Sequence, residues 1–382
     1  MHGAIRLALG LAVAAALSAP AAIAEAQTGA APTAAAQPAP DLLARAQSGD
    51  AVAQNQLGEM YENGNGVPKD LATAARWYRL AAEKGLAAAQ LNLGVLYKNG
   101  EGATQSDAEA ARWYGRAAEQ GNIFAQLSLA FMYREGHGVA RDDARAAALF
   151  QKIADQGYEI GAVNLAFLYR DGEGVPRDYG KAFALFERAA KAGHPVAQNN
   201  LGLMLAQGLG VPKDAPRAAE WHRKAANRGL ANAQYQLARL YELGEGVEHS
   251  DSEAAAWYRK AAQQGEVPAQ LRLGLLYRDG RGISQNPARA MFWLGQAARN
   301  GDAEAQLRLG ELLAADSGGT FDPAEAYRWA ALAERSTGDK NLRHEAEALR
   351  QELTPRLSAE QLTSIDQSVE SWRPAASAAV RE

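Results

Sequence analysis

Eight glycines fall at one fixed interval. Gly49, Gly85, Gly121, Gly157, Gly193, Gly229, Gly265 and Gly301 follow one another every 36 residues, with no insertion between them. A strict period of this size implies a stack of small units, each burying its apolar face on its neighbours, rather than one core closed on itself. Length therefore does not convert into a count of ordinary domains, because a stack grows by adding units.

Every copy repeats the same columns. A leucine recurs at Leu57, Leu93, Leu129, Leu165, Leu201, Leu237, Leu273 and Leu309. One buried leucine per unit is the simplest physical reason. The next residue is always Gly or Ala, as at Gly58, Gly94, Ala130 and Gly202. A helical Gly costs about 1 kcal/mol relative to Ala, so its retention predicts a helix passing too close for a larger side chain. Four residues past the leucine stands Tyr61, Tyr97, Tyr133, Tyr169, Tyr241 or Tyr277, on the same helical face. Leu205 and Leu313 are the exceptions.

A Gly-x-Gly turn follows, from Gly64 and Gly66 to Gly280 and Gly282. Its first glycine predicts a left-handed helix end. Then comes a column of helix N-cap residues: Asp70, Ser106, Asp142, Asp178, Asp214, Ser250, Asn286 and Asp322. Glu109 and Glu253 stand three residues after the two serines, which predicts capping boxes. The second helix carries Trp77, Trp113, Trp221, Trp257, Trp293 or Trp329, with Leu149 and Leu185 in the third and fourth copies. That regularity predicts core.

The pattern Ala-x-x-x-Leu-Gly-x-x-Tyr-x-x-Gly-x-Gly-Val-x-x-Asp, then Ala-x-x-Trp-Tyr-x-x-Ala-Ala-x-x-Gly, resembles the Sel-one-like repeat family, a branch of the tetratricopeptide superfamily. The match runs over 50–333, in phase. The resemblance implies an all-α fold: a right-handed superhelical α/α solenoid of stacked 36-residue helix-turn-helix repeats. It also implies a scaffold or adaptor with a protein or peptide partner. Exported bacterial members include signalling regulators and host-interacting proteins, which suggests a role in envelope signalling or assembly.

Residues 41–338 are then the solenoid, an N-terminal half-unit plus eight repeats, the last degenerate after Leu313. Residues 339–372 predict two capping helices. Leu342, Ala346, Leu349, Leu353, Leu362, Ile365 and Trp372 suit the last apolar face, and Ser358 with Gln361 makes a capping box. Residues 373–382 read as a loose tail.

The N-terminus is a delivery segment. Arg6 precedes an apolar run over 7–17, Ser18-Ala19-Pro20 breaks it, and Ala22, Ala24 and Ala26 follow at spacing two. This order predicts a signal peptide over 1–26, cut after Ala24 or Ala26. The run is short for a membrane anchor. Residues 27–40 are Ala/Pro-rich and predict a flexible linker. The mature chain is expected to be periplasmic or secreted, without membrane insertion.

Chemistry is sparse. The formal charge of -4 provides no basic face for nucleic acid. With no cysteine there is no disulfide, thiolate metal site or thiol nucleophile. His2, His137, His194, His222, His249 and His344 form no metal-binding pair at helical spacing. His222 shares a column with Tyr78, Tyr114, Phe150 and Phe186, which places it in the core or at its rim. The Gly-x-Gly turns follow helices rather than strands and are not phosphate cradles. We expect no cofactor, no metal and no catalytic residue. Two rivals remain from the resemblance: a cell-wall-acting enzyme of β-lactamase or peptidoglycan type, known among cysteine-rich relatives, and a non-catalytic cell-wall or polysaccharide binder.

A partner is expected on the concave face. At about 100° per residue, positions five before, one before, two after and six after the leucine project away from the core. In the middle copies these include Asn92 and Val95; Phe124, Ser128 and Phe131; Ile160, Asn164 and Phe167; and Val196, Asn200 and Leu203. They form an apolar stripe edged by amides and a serine, suited to an extended peptide. Outer copies are more polar, with Gln56 and Glu59, Gln236 and Arg239, Arg308 and Glu311. Tight curvature would instead pack these side chains against adjacent repeats, and the sequence leaves both outcomes open.

Overall fold

The computed structural model of the chain describes residues 38–315 and 321–375. The expected signal peptide, most of the linker and most of the tail lie outside the described residues. The chain divides into two compact units, with the boundary between Asp178 and Tyr179 inside the fourth repeat. All regular elements among the described residues are helical.

The first unit holds α1 (Pro40–Gln47), α2 (Ala51–Asn63), α3 (Leu71–Glu83), α4 (Ala87–Asn99), α5 (Asp107–Glu119), α6 (Ile123–Glu135), α7 (Asp143–Asp155) and α8 (Glu159–Asp171). The second holds α9 (Tyr179–Lys191), α10 (Pro195–Gln207), α11 (Ala215–Asn227), α12 (Ala231–Leu243), α13 (Asp251–Gln263), α14 (Val267–Asp279), α15 (Pro287–Arg299), α16 (Ala303–Ala314) and α17 (Pro323–Ser336). There α18 (Lys340–Leu353) and α19 (Ala359–Ser371) follow, the latter opened by the expected Ser358–Gln361 capping box. Within each unit, consecutive helices pack as pairs and pairs stack on pairs.

Local chemistry sets the boundaries. Gly136 ends α6 with φ 73° and donates its N–H to the Met132 carbonyl. Asp142 then accepts from the Arg145 N–H at 2.9 Å to open α7, and its own N–H donates to the Tyr133 carbonyl at 2.8 Å. Ser106 and Ser250 cap in the same way. Their capping boxes do not close as expected: among the described residues the return bond forms only at Ser358. The Glu109 carboxylate instead takes Arg112 at 3.0 Å, a charged donor stronger than a neutral backbone N–H.

The leucine column is buried throughout, from Leu57 at 0% to Leu129 at 8% exposed. The close approach expected beside it is real. A Cβ on Gly58 would lie 2.5 Å from the Tyr78 ring, and one on Gly202 would lie 2.8 Å from His222. The second turn glycine has a separate reason. A Cβ on Gly138 would lie 2.2 Å from the backbone of Asp107, the first residue of α5 in the preceding repeat. Gly66 has no preceding full repeat, and there a Cβ would meet only the Met60 side chain, at 3.5 Å.

The expected tryptophan core holds at Trp113, Trp293 and Trp329, which are buried, and fails at Trp77, Trp221 and Trp257, which are only half-buried; in those copies the next residue lies deeper, with Tyr78 and Tyr258 wholly buried. Lys224 and Lys260 lie over the faces of Trp221 and Trp257, at 3.9 and 3.8 Å from the ring centroids, so these indoles form a rim. A glutamine column passed unread in the sequence. Gln54, Gln90, Gln126, Gln198, Gln234, Gln270 and Gln306 are all buried, and each donates Nε2 to the carbonyl eight residues earlier at 3.0–3.2 Å. The side-chain amide thus ties every first helix except α8, which has Ala162 there, to the end of the helix before it.

Candidate binding faces

The outward columns of the first helices are where copies differ, so we located each expected site residue there. In the first unit Phe124 is 49% exposed near the start of α6. Ser128 is half-buried one turn on, and Phe131 is half-buried with its ring edge-on to Phe150 at 5.6 Å. On α4, Val95 is half-buried against the Ala110–Tyr114 cluster, and Asn92 donates to the Asn55 side chain at 3.2 Å. Val52, in the Phe124 column, is 51% exposed, and Ala88 between them is also exposed. This unit therefore presents an apolar ridge, Val52–Ala88–Phe124, beside a row of amide and hydroxyl groups.

The fourth and fifth repeats depart from the expectation. Ile160, Val196 and Leu203 are half-buried. Asn164, Phe167 and Asn200 do not project: they are 0%, 6% and 7% exposed. Asn164 and Asn200 each donate Nδ2 to the carbonyl one turn back, of Ile160 and Val196, at 2.8 Å. The Phe167 ring is covered by the Arg170 guanidinium 4.8 Å from its centroid. A helical wheel registers only the core direction of its own helix, not what a stack places on either flank. Tyr158, 49% exposed at the N-cap of α8, was missed. Its column holds Asp50 and Asn122 in other copies, so an aromatic there was the available signal.

In the sixth to eighth repeats the outward columns become more polar: Asn232 and Arg239 are exposed, and Gln236, Arg272, Glu304 and Arg308 are half-buried. His222 is buried at 1%, with Nδ1 2.9 Å from Asn199 Oδ1, and Asn199 in turn donates to Asn232 at 3.1 Å. Burial lowers its pKa to about 4, so at neutral pH the ring is uncharged and serves as a packed, hydrogen-bonded core residue.

Tyr78 and Tyr258 donate to Glu62 and Glu242 at 2.5 and 2.6 Å. Burial first, then the carboxylate, raises both phenols far above their ordinary range and keeps them protonated. Among the described residues no group of three or more His, Asp or Glu could hold a metal ion, and no helix is long and apolar enough to cross a membrane.

Comparison with known proteins gives the same architecture. The Sel1 repeat model matches eight times, at 51–86, 87–122, 123–158, 160–194, 195–230, 231–266, 267–302 and 303–336. A Sel1 repeat protein from Oxalobacter formigenes is 34% identical, covering 81% of this chain and 90% of its own, with a TM-score of 0.68. The protective antigen c5321 of uropathogenic Escherichia coli strains, which displays an SLR fold, is 33% identical, covering 87% of this chain and 79% of its own, with a TM-score of 0.55. No curated protein matches. Proteins built of these repeats generally serve as scaffolds for protein–protein contact rather than as catalysts. Eight consecutive copies, the match to solved relatives and the packing of the columns lead to one conclusion: the chain belongs to the Sel1 repeat family.

Proposed function

We propose that this protein is an exported, non-enzymatic scaffold that holds a protein or peptide on the first-helix face of its first unit. The observation that carries the proposal is the division of labour among columns. Leucine, glycine, glutamine and second-helix aromatics are consumed by packing, whereas Val52, Ala88 and Phe124 leave apolar surface exposed beside Asn92 and Ser128. An apolar ridge flanked by amides fits an extended peptide, whose side chains take the ridge and whose backbone takes the amides. Export after Ala24 or Ala26 places that partner in the envelope or beyond, in signalling or assembly.

The test is capture of envelope proteins on the immobilised mature chain and on the Phe124→Asp variant, read by mass spectrometry. Phe124 is half-exposed and outside the core, so the variant should keep its helical circular dichroism and melting temperature. Loss of a specific captured protein supports the reading. An unchanged set of captured proteins sinks it.

A further inference from the structure

We propose that a polar cavity among the last three helices, α17, α18 and α19, binds a short peptide by its two free termini. The cavity lies wholly within the second unit and shares no residue with the first unit's face, so it stands whether or not that face binds anything.

The cavity measures about 620 Å³, inside the range of about 300–1,000 Å³ in which proteins hold small ligands. Its lining is almost wholly charged; Ala331 and Val369 are the apolar exceptions. One set of charges is already paired. Arg350 donates to Glu334 at 2.5 Å and to the Tyr327 hydroxyl at 2.7 Å, and Asp366 stands 3.9 Å from it. This cluster joins all three helices and keeps α19 in place over the other two.

A second set is held in place but not neutralised. Arg335 donates to the Val369 carbonyl, and Arg343 donates Nη2 to the Thr337 carbonyl at 2.8 Å. A carbonyl fixes a guanidinium without cancelling its charge, and most of the five N–H donors stay available. Neither arginine meets a carboxylate among the described residues. Glu347 and Glu370 line the same cavity, and among the described residues neither carboxylate has a cation or a donor on it. Two positive and two negative groups thus face one space with no counterpart.

A ligand that answers both signs carries an ammonium and a carboxylate on one small body. A peptide of two or three residues with free ends does so, and extended it spans roughly 7–10 Å, close to the ~10 Å width of a sphere of the cavity's volume. The arginines take its carboxylate with paired donors, and the glutamates take its ammonium. Ala331 and Val369 suit small apolar side chains. A polyanion would meet the glutamates and a polycation the arginines, so neither fits. A sugar has no charge to answer either set, and no aromatic ring among the described residues lines the cavity to stack on its face.

The experiment is isothermal titration calorimetry on the full mature chain with trialanine, N-acetyl-trialanine and trialanine amide. Trialanine should bind, and each blocked form should bind about tenfold more weakly, the scale of one lost charge-assisted contact. The Glu347→Gln/Glu370→Gln variant breaks no bond of the folded chain. It should weaken trialanine about tenfold and leave the acetylated form as weak as before. Arg343→Gln should weaken trialanine in the same way and leave the amide unchanged; if that variant melts early, the glutamate pair still carries the test. The Glu83→Gln/Glu119→Gln variant removes exposed acids from the first unit and should bind as the parent does. The proposal is overturned if trialanine does not bind, if the blocked forms bind as tightly as the free peptide, or if the Glu347→Gln/Glu370→Gln variant binds trialanine as the parent does.

Discussion

The first-helix faces of the two units share one interior and carry different exteriors. On the inner side, Leu93 and Leu237 are equally buried, and Gln90 and Gln234 make the same bond to the preceding helix, at 3.1 and 3.2 Å. On the outer side one column reads Glu59, Val95, Phe131 and Phe167 in the first unit and Leu203, Arg239, Leu275 and Glu311 in the second. Packing thus fixes one set of columns and leaves the other free to change chemistry without altering the fold. Shared columns should therefore cost stability when changed, and face columns should cost binding.

Gly138→Ala should show the largest effect. A Cβ there lies 2.2 Å from the Asp107 backbone and forces a residue at φ 68°, so we expect a loss of about 3 kcal/mol or more in chemical denaturation. Gly66→Ala has the same backbone conformation without the clash and should cost about 1–2 kcal/mol. Equal losses would break the claim that the second turn glycine serves the junction between repeats.

Acid should act on the second unit through His222. Its folded pKa of about 4 lies below the ordinary value of 6.5, so the unfolded chain takes up the proton first. The stability it contributes is complete above pH 6.5 and is lost as pH falls toward 4, by about 3 kcal/mol. His222→Phe with Asn199→Leu copies Phe150 and Leu127 of the third repeat. This pair should remove that part of the pH dependence in denaturation curves measured at pH 7 and at pH 4.5. An unchanged slope would mean that His222 is not held neutral.

Gln126→Ala strips a donor from the Ala118 carbonyl and an acceptor from Gln156, and should cost about 2 kcal/mol. Gln56→Ala, exposed in an outward column, should stay within about 0.5 kcal/mol. A thermal melt of each variant separates the two kinds of glutamine.

Much of the fold was legible because period and caps act locally. The 36-residue step, the leucine column, the left-handed glycine that ends the first helices of the first seven repeats and the Asp, Ser or Asn caps each follow from one residue's own physics. Features that depend on a neighbour were harder to read. Buried glutamines look like surface residues to any hydropathy argument, although seven of eight copies carry one. The depth order of Trp77 and Tyr78 depends on how near the next helix passes. Asn164, Phe167 and Asn200 were placed by a wheel that has no neighbours in it. Phe124 is 49% exposed, whereas Ile160 and Val196 at the same helix position are half-buried, so the column alone does not fix exposure.

The junction glycines also bear on how such a chain can change its length. Gly102, Gly138 and Gly174 each seat on the opening residue of the second helix of the preceding repeat, and they do so through backbone atoms that any sequence supplies. A whole cassette can therefore be duplicated or deleted between closing glycines without redesigning either neighbour. One seam is different. At the third-to-fourth junction Ile153 replaces the usual alanine, Gly161 replaces the alanine facing it, and a Cβ on Gly161 would lie 2.7 Å from Ile153. The glutamine next to it is replaced by Ala162. Those three positions must travel together, so recombination between copies at this junction would leave a mark on the protein.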